Sequence, residues 1–381
     1  MTNTLIVAGA GAGKSTTVVG KALAEATDRR KVLLLTYTEG NQGELLTKVC
    51  AKTSVRPAVV RIKGWFTFLL EELIRPYQGC IFETRIDNIL FDDSDPHWNG
   101  RFRLRGRAER LKGGAYNPRH FLASSQTRAH TTYISKLACR IIEITRGASI
   151  ERLARIYRLI LIDEVQDLVG WDYEILKAIA ERADVELLCV GDFRQTLYTT
   201  AHARKAPGSM SEKLGAFQTA GFDIQYSNSN RRSVQPICRF ADRIHEGLFK
   251  FQPSRSLAGQ VPEDLADHVG VFAVRAEDVS AYLERYSPVI LRRTRSTEIN
   301  LCQGYRTYNY GESKGMGFDR ALVLTTGKQR DFISGKSDVF DGDKTDKARN
   351  TFYVVATRAR YSVSFVFDGN PSIDGVSVWT P

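Results

Sequence analysis

The chain has 381 residues, 43% of them hydrophobic, a mean hydropathy of −0.27 and a formal net charge of +11. That length serves two ordinary cores, and no apolar run reaches membrane-spanning length, so a membrane-embedded function is excluded and no membrane partner is expected. The positive balance suits a polyanionic partner or, more blandly, a basic proteome. Six cysteines (Cys50, Cys80, Cys139, Cys189, Cys238, Cys302) lie apart without CxxC spacing, which favours reduced thiols over a zinc site or disulfide framework. An apolar strand begins almost at Met1 and leaves no room for a signal peptide, so the cytoplasm is the expected location.

In chain order, Leu5-Ile6-Val7 reads as a buried strand running into Ala8-Gly9-Ala10-Gly11-Ala12-Gly13-Lys14-Ser15-Thr16. Strand, glycine-rich turn and helix start form a phosphate-binding loop, with Ala8 where a strict pattern asks for glycine. Glycine lets backbone N–H groups close on phosphate oxygens, and the helix N-terminus adds partial positive charge. Gly9 to Thr16 are the expected nucleotide contacts: Lys14 at the β- and γ-phosphates, the Ser15 hydroxyl on Mg²⁺. Val32–Leu35 reads as a second strand. Between about 79 and 130 the pattern breaks down, with Asp92-Asp93-Ser94-Asp95-Pro96 followed by Arg101, Arg103, Arg105, Arg107, Arg110 and Lys112. On a strand these alternating arginines would line one face and track a phosphate backbone; in a loop they would simply be solvated.

Leu159–Ile162 is a third buried strand, ending in Asp163-Glu164-Val165-Gln166-Asp167. This places adjacent carboxylates at the sheet edge where the phosphate loop also ends. Asp163 would hold Mg²⁺, and Glu164 would orient and deprotonate the attacking water. Leu187–Val190 leads into Gly191-Asp192-Phe193-Arg194-Gln195, whose Gln195 amide can donate to a γ-phosphate oxygen and accept from the water. A second strand series follows at Pro288–Leu291, Leu322–Leu324 and Ser362–Phe367. Short runs that are apolar at every residue suit strands covered on both faces, hence parallel sheets. The expected architecture is α/β, two units in tandem, with a boundary near 218–228.

The loop, the DExQD turn and the GDxxQ segment, in this order and spacing, resemble superfamily-1 helicases of the UvrD/Rep/PcrA kind. Leu35-Thr36-Tyr37-Thr38 and Gly64-Trp65-Phe66 occupy the places of that family's DNA-contact motifs. Asn230-Arg231-Arg232-Ser233 is similar to its NYRS, Ser313-Lys314-Gly315-Met316-Gly317-Phe318-Asp319 to its KGLEFD, and Tyr353 to Arg360 to its YVAxTRA. The resemblance implies two RecA-like lobes, 1–222 and 223–381, with an insertion at about 79–130 in the first and a nucleotide cleft between them. Arg232 and Arg358 would be arginine fingers of the second lobe.

ATP and Mg²⁺ are the implied cofactors, with Tyr37 near the base. Single-stranded DNA, or DNA with a single-stranded tail, is the implied partner. Thr36, Thr38, Trp65, Phe66, Tyr198 and Lys314 are the expected DNA contacts, Tyr37 and Trp65 foremost among the aromatics. The implied activity is a 3′-to-5′ ATP-dependent helicase or translocase. Alternatives are a DNA-stimulated ATPase working with protein partners in defence, repair or replication, and an RNA-directed motor.

The chain departs from the family in several places, among them Gly311 where relatives have the motif V histidine, and a compact size that implies the large accessory domains are missing. The glutamine motif by which relatives read adenine, upstream of the phosphate loop, is expected to be missing. Gly317 stands where relatives use glutamate at the ribose, which loosens strict ATP selectivity. Thr200 stands where relatives place a base-stacking tryptophan.

Overall fold

The computed structural model describes residues 3–26, 30–92, 94–182, 184–197, 205–247, 251–336 and 338–381. These form two compact units. The first comprises 3–6, 14–191 and 205–225, and the second 7–13, 192–197 and 226–381.

The first unit is built on strands β1 (Thr4–Ala8), β2 (Lys31–Thr36) and β3 (Val60–Gly64), with a small pair β4 (Asn88–Leu90) and β5 (Arg128–His130) set apart. The main sheet continues with β6 (Tyr157–Asp163), β7 (Glu186–Gly191) and β8 (Asp223–Ser227), in the order β3-β2-β6-β7-β1-β8. β2 pairs in parallel with β3 and with β6, and β6 with β7. Leu33, Leu34, Leu35, Ile160 and Leu161 are all fully buried, since helices cover both faces of a parallel sheet. One face packs Val32, Leu34, Leu159, Leu161 and Val190 against Val18, Val19 and Ala22 of the helix Lys14–Ala24. The edge strands β3 and β8 alternate or mix polar residues, so neither reads as an apolar run.

Between β4 and β5 the chain runs mostly in turns, so Arg101 to Arg110 share no strand face. The alternation in sequence is not an alternation in space. Arg107 donates to the Arg119 carbonyl, and Arg110 lies over the Tyr116 ring at 4.1 Å.

The second unit opens with the two-residue pair β9 (Ser229–Asn230) and β10 (Arg255–Ser256). Its sheet comprises β11 (Gly270–Val274), β12 (Val289–Arg292), β13 (Thr307–Asn309), β14 (Phe318–Val323), β15 (Ala359–Val366) and β16 (Val376–Val378), ordered β13-β12-β14-β15-β11-β16. All its registered pairs are parallel. Phe240, Val271, Leu291, Phe352 and Phe365 fill one face, and Val274, Tyr282, Ile290, Leu322 and Trp379 the other. The six cysteines are free. Among the described residues, no helix is long and apolar enough to cross a membrane.

Candidate nucleotide site

In the first unit, Lys14 begins the helix Lys14–Ala24, and its side chain is largely buried (9% exposed). Ser15 follows, and its hydroxyl hydrogen-bonds Asp163 at the carboxyl end of β6. Burial pushes the Asp163 carboxyl up, and the Glu164 charge beside it pushes the same way; the Ser15 hydroxyl and the Lys14 charge pull it back only in part. A buried carboxylate short of positive charge, next to a hydroxyl, is an all-oxygen donor set of the kind a hard divalent cation takes. Ser15 and Asp163 therefore fit Mg²⁺.

Glu164 turns the chain sharply, with φ +57° and ψ +41°, a conformation that costs a non-glycine residue about 1–3 kcal/mol and is characteristic of functional sites. Its N–H donates to Asp163 Oδ1 at 3.0 Å, and its carboxylate accepts from Gln166 Nε2. Gly191, which opens the GDxxQ segment, and Lys213, which no motif contains, hold this turn. A Cβ on Gly191 would lie 2.5 Å from Gln166 Oε1 and 2.9 Å from Val165 Cγ1, so only glycine lets β7 pass the acidic turn. Lys213, fully buried on the helix Met210–Thr219, donates to the Gln166 carbonyl at 2.7 Å. Nothing in its local sequence separates Lys213 from a surface lysine.

The expected DNA contacts of this unit divide. Thr38 caps the helix Glu39–Thr53, accepting from the Asn41 N–H at 3.2 Å. Thr36 is buried, and among the described residues its hydroxyl has no hydrogen-bond partner. The Tyr37 and Phe66 rings, both half-buried, meet edge to face with centroids 5.2 Å apart. Trp65 corrects the expectation, because it is 1% exposed and its indole N–H donates to Asp172 Oδ1 at 2.7 Å. Asp172 also accepts from Ser135 and from the Val169 N–H. Trp65 thus packs and anchors a buried carboxylate, and its ring offers no open face. Tyr198 lies outside the described residues.

In the second unit, residues 9–13 form a tight turn closed by Ala12 N–H on the Gly9 carbonyl at 3.3 Å. Gly11 and Gly13 have φ of +73° and +81°. Gly11 is required twice over, since a Cβ there would sit 2.3 Å from Asn230 Oδ1 and 2.8 Å from Arg232 Cβ. Arg231 donates its backbone N–H to the Gly11 carbonyl at 2.7 Å.

A chain of hydrogen bonds links this turn to both polar motifs of the unit. Ala10 N–H donates to the Tyr353 hydroxyl at 3.2 Å, which donates to Asp192 Oδ2 at 3.1 Å. Gln195 Nε2 donates to the same oxygen at 2.9 Å, and Arg358 Nη2 donates to Gln195 Oε1 at 3.4 Å. Burial raises the Tyr353 pKa strongly, so its proton stays in place. Arg194 binds Asp192 Oδ1 at 3.1 Å, with its guanidinium 4.6 Å from the Tyr353 ring centre and 4.7 Å from that of Phe251.

Arg358 itself is 1% exposed, held by the carbonyls of Val354 at 2.8 Å and Met316 at 3.1 Å and by the Thr357 hydroxyl. Arg232 is half-buried, donating through Nη1 to the Thr357 carbonyl at 3.3 Å. Lys314 is half-buried.

A family profile described as an AAA domain matches residues 1–201. No curated protein matches the chain. Among solved structures, similarity extends to the crystal structure of arterivirus nonstructural protein 10, a helicase. It is 14% identical, with a TM-score of 0.42, over 95% of this chain and 59% of that one. The same arterivirus helicase in complex with DNA matches at 12% identity and TM-score 0.42, over 97% of this chain and 62% of that one. This chain thus spans about three-fifths of those helicase chains.

Proposed function

Since the chain belongs to the AAA domain family, we propose that it is an ATP hydrolase that moves along single-stranded DNA, a translocase or helicase with 3′-to-5′ polarity. The observation that carries this reading is the grouping of Lys14, Ser15, Asp163 and the strained Glu164 at the end of β6. DNA as the track, and the polarity, come from the motif resemblance. The lobes are taken as 1–222 and 223–381.

Lys14 neutralises charge on the β- and γ-phosphates, and Ser15 with Asp163 would hold Mg²⁺, which when bound supplies further neutralisation there. Glu164 accepts a proton from the water as its oxygen attacks the γ-phosphorus. The bond to the β–γ bridging oxygen breaks, and ADP and phosphate leave. Arg358 and Arg232 act as fingers toward the γ-phosphate, and Gln195 reports the nucleotide state. The bonds from Ala10 through Tyr353, Asp192 and Gln195 to Arg358 support this coupling, because a change at a loop amide reaches the finger through an unbroken series of hydrogen bonds.

The test is ATP turnover with and without single-stranded DNA, for the wild type, Lys14→Ala and Glu164→Gln. Lys14→Ala should abolish turnover. Glu164→Gln should bind nucleotide normally while hydrolysis falls about 10²–10⁴-fold, since shape is kept and the base is lost. Near wild-type hydrolysis in Glu164→Gln removes its role, and turnover indifferent to DNA removes the motor. Competition with single-stranded RNA identifies the track.

A further inference from the structure

In the first unit, residues 97–105 form a small hairpin that carries aromatic and cationic side chains outward. Asn99 organises its tip: Oδ1 accepts from the N–H groups of Arg101 at 3.0 Å and Phe102 at 2.8 Å, while its own N–H donates to the Phe102 carbonyl at 3.2 Å. Leu104 N–H closes on the His97 carbonyl at 2.8 Å, and Trp98 and Arg103 pair antiparallel. The base is anchored in the unit. His97 is buried, stacked on Tyr133 with centroids 4.3 Å apart, and its Nε2 lies 2.9 Å from the His120 carbonyl oxygen. The tip is therefore hydrogen-bonded across its two arms and anchored at its base.

The tip leaves much of its aromatic surface uncovered. Trp98 is 50% exposed and Phe102 61%; with Phe91 they are the exposed Phe and Trp side chains among the described residues. Arg101, Arg103 and Arg105 are exposed as well, and among the described residues no carboxylate pairs with any of them. Residues 97–107 contain four arginines and no acidic residue. Flat apolar faces beside unpaired guanidinium groups are complementary to one polymer chemistry: bases to stack on and phosphates to neutralise. In a duplex the base faces are already stacked on one another, so exposed ring faces select the unpaired strand.

We propose that the 97–105 hairpin is a second contact for single-stranded nucleic acid, separate from the motif residues. Bases stack on Trp98 and Phe102, and phosphates meet Arg101, Arg103 and Arg105. The inference rests on the reading of the chain as a nucleic-acid motor, and the experiment separates the two.

A fluorescein-labelled oligothymidylate is titrated by anisotropy against wild type, Trp98→Phe, the double variant Trp98→Ala with Phe102→Ala, and Arg101→Glu with Arg103→Glu and Arg105→Glu. All these positions are exposed on the tip, so circular dichroism and DNA-free ATP turnover should match wild type. Each stacking platform should carry roughly five- to 150-fold in affinity, so the double alanine variant should lose at least that, while Trp98→Phe stays within about threefold. Unlabelled oligothymidylate should quench indole fluorescence in wild type and quench it far less in Trp98→Phe. The arginine triple should also flatten the log–log salt slope by about 0.7 for each phosphate that is no longer neutralised.

Binding by the double alanine variant within twofold of wild type, with an unchanged quench in Trp98→Phe, overturns the hairpin as a binding site and leaves the motor standing. Weakening confined to a blunt duplex overturns the unpaired strand as its occupant. A wild type that binds no oligonucleotide overturns both readings.

Discussion

Tyr353 shows how much one buried hydroxyl can do. It accepts from Ala10 N–H and donates to Asp192, so it spends a backbone amide of the glycine turn that phosphate oxygens would otherwise use. Tyr353→Phe removes both bonds and keeps the ring beneath Arg194. Asp192 retains Arg194 and Gln195 as donors, so the loss should be modest: about 1 kcal/mol, read as a fall of about 2–4 °C in the melting midpoint. The freed Ala10 amide should leave nucleotide binding intact or tighter, while DNA-stimulated turnover falls because the route from loop to Arg358 is cut. Stimulation equal to wild type in a correctly melting Tyr353→Phe would show the route to be structural only.

At the scale of elements, the helical turns Leu69–Ile74 are tied to the sheet by Glu72, buried at 7% exposure. Lys63 of β3 donates to it at 2.6 Å, the Tyr157 hydroxyl of β6 at 2.8 Å, and Arg152 of the helix Ala148–Ile156 at 3.1 Å. Burial pushes its pKa up, but hydrogen bonds from Lys63, Tyr157 and Arg152 and the Lys63 charge together hold it below the usual carboxylate range. A carboxyl whose folded pKa is depressed stabilises the fold above its unfolded pKa, and the contribution disappears as pH falls through the folded value. Glu72→Gln should therefore lower stability by about 1–3 kcal/mol at neutral pH and by progressively less toward acid. Urea melts at neutral and acidic pH measure this directly; an equal loss at both would assign Glu72 a packing role without its charge. The elements themselves were legible where both faces are covered, as in β2, β6 and β7. They were not legible in β3, β8, β13 and β16, edge strands whose pattern is set by neighbours rather than by a continuous apolar run.

At the scale of the whole molecule, the guanidinium of Arg358 is held by backbone carbonyls and a glutamine oxygen. These acceptors orient its planar fork of N–H donors. Arg358→Ala should bind ATP within about tenfold of wild type yet lose DNA-stimulated hydrolysis by about 10³–10⁵, as a finger supplies stabilisation only in the transition state. Arg358→Lys keeps charge and bulk, so it controls for the collapse of a buried site. Retained stimulation in Arg358→Ala would take the finger role from Arg358 and, with it, the main support for a two-lobe motor.

Parts whose chemistry is local could be read from the order of residues alone. A glycine-rich turn between strand and helix needs only adjacent residues, and Gly11 and Gly13 adopt the positive φ that it demands. The acidic turn after β6 is also contiguous, so Asp163 and Glu164 stand out without reference to any distant partner. Whatever depends on distant residues meeting came only with the folded arrangement. Trp65 reads as an open aromatic beside Phe66 until Asp172, 107 positions later, accepts its indole N–H and buries it. Ala10 and Tyr353 are 343 positions apart, and Lys213 reaches Gln166 across 47. The arginines from 101 to 110 are closely spaced along the chain, yet only the hairpin geometry groups three of them with Trp98 and Phe102. Local backbone demands leave a mark in neighbouring residue types; burial and long-range hydrogen bonding leave almost none, because any side chain of suitable size and polarity satisfies the pattern until its partner arrives.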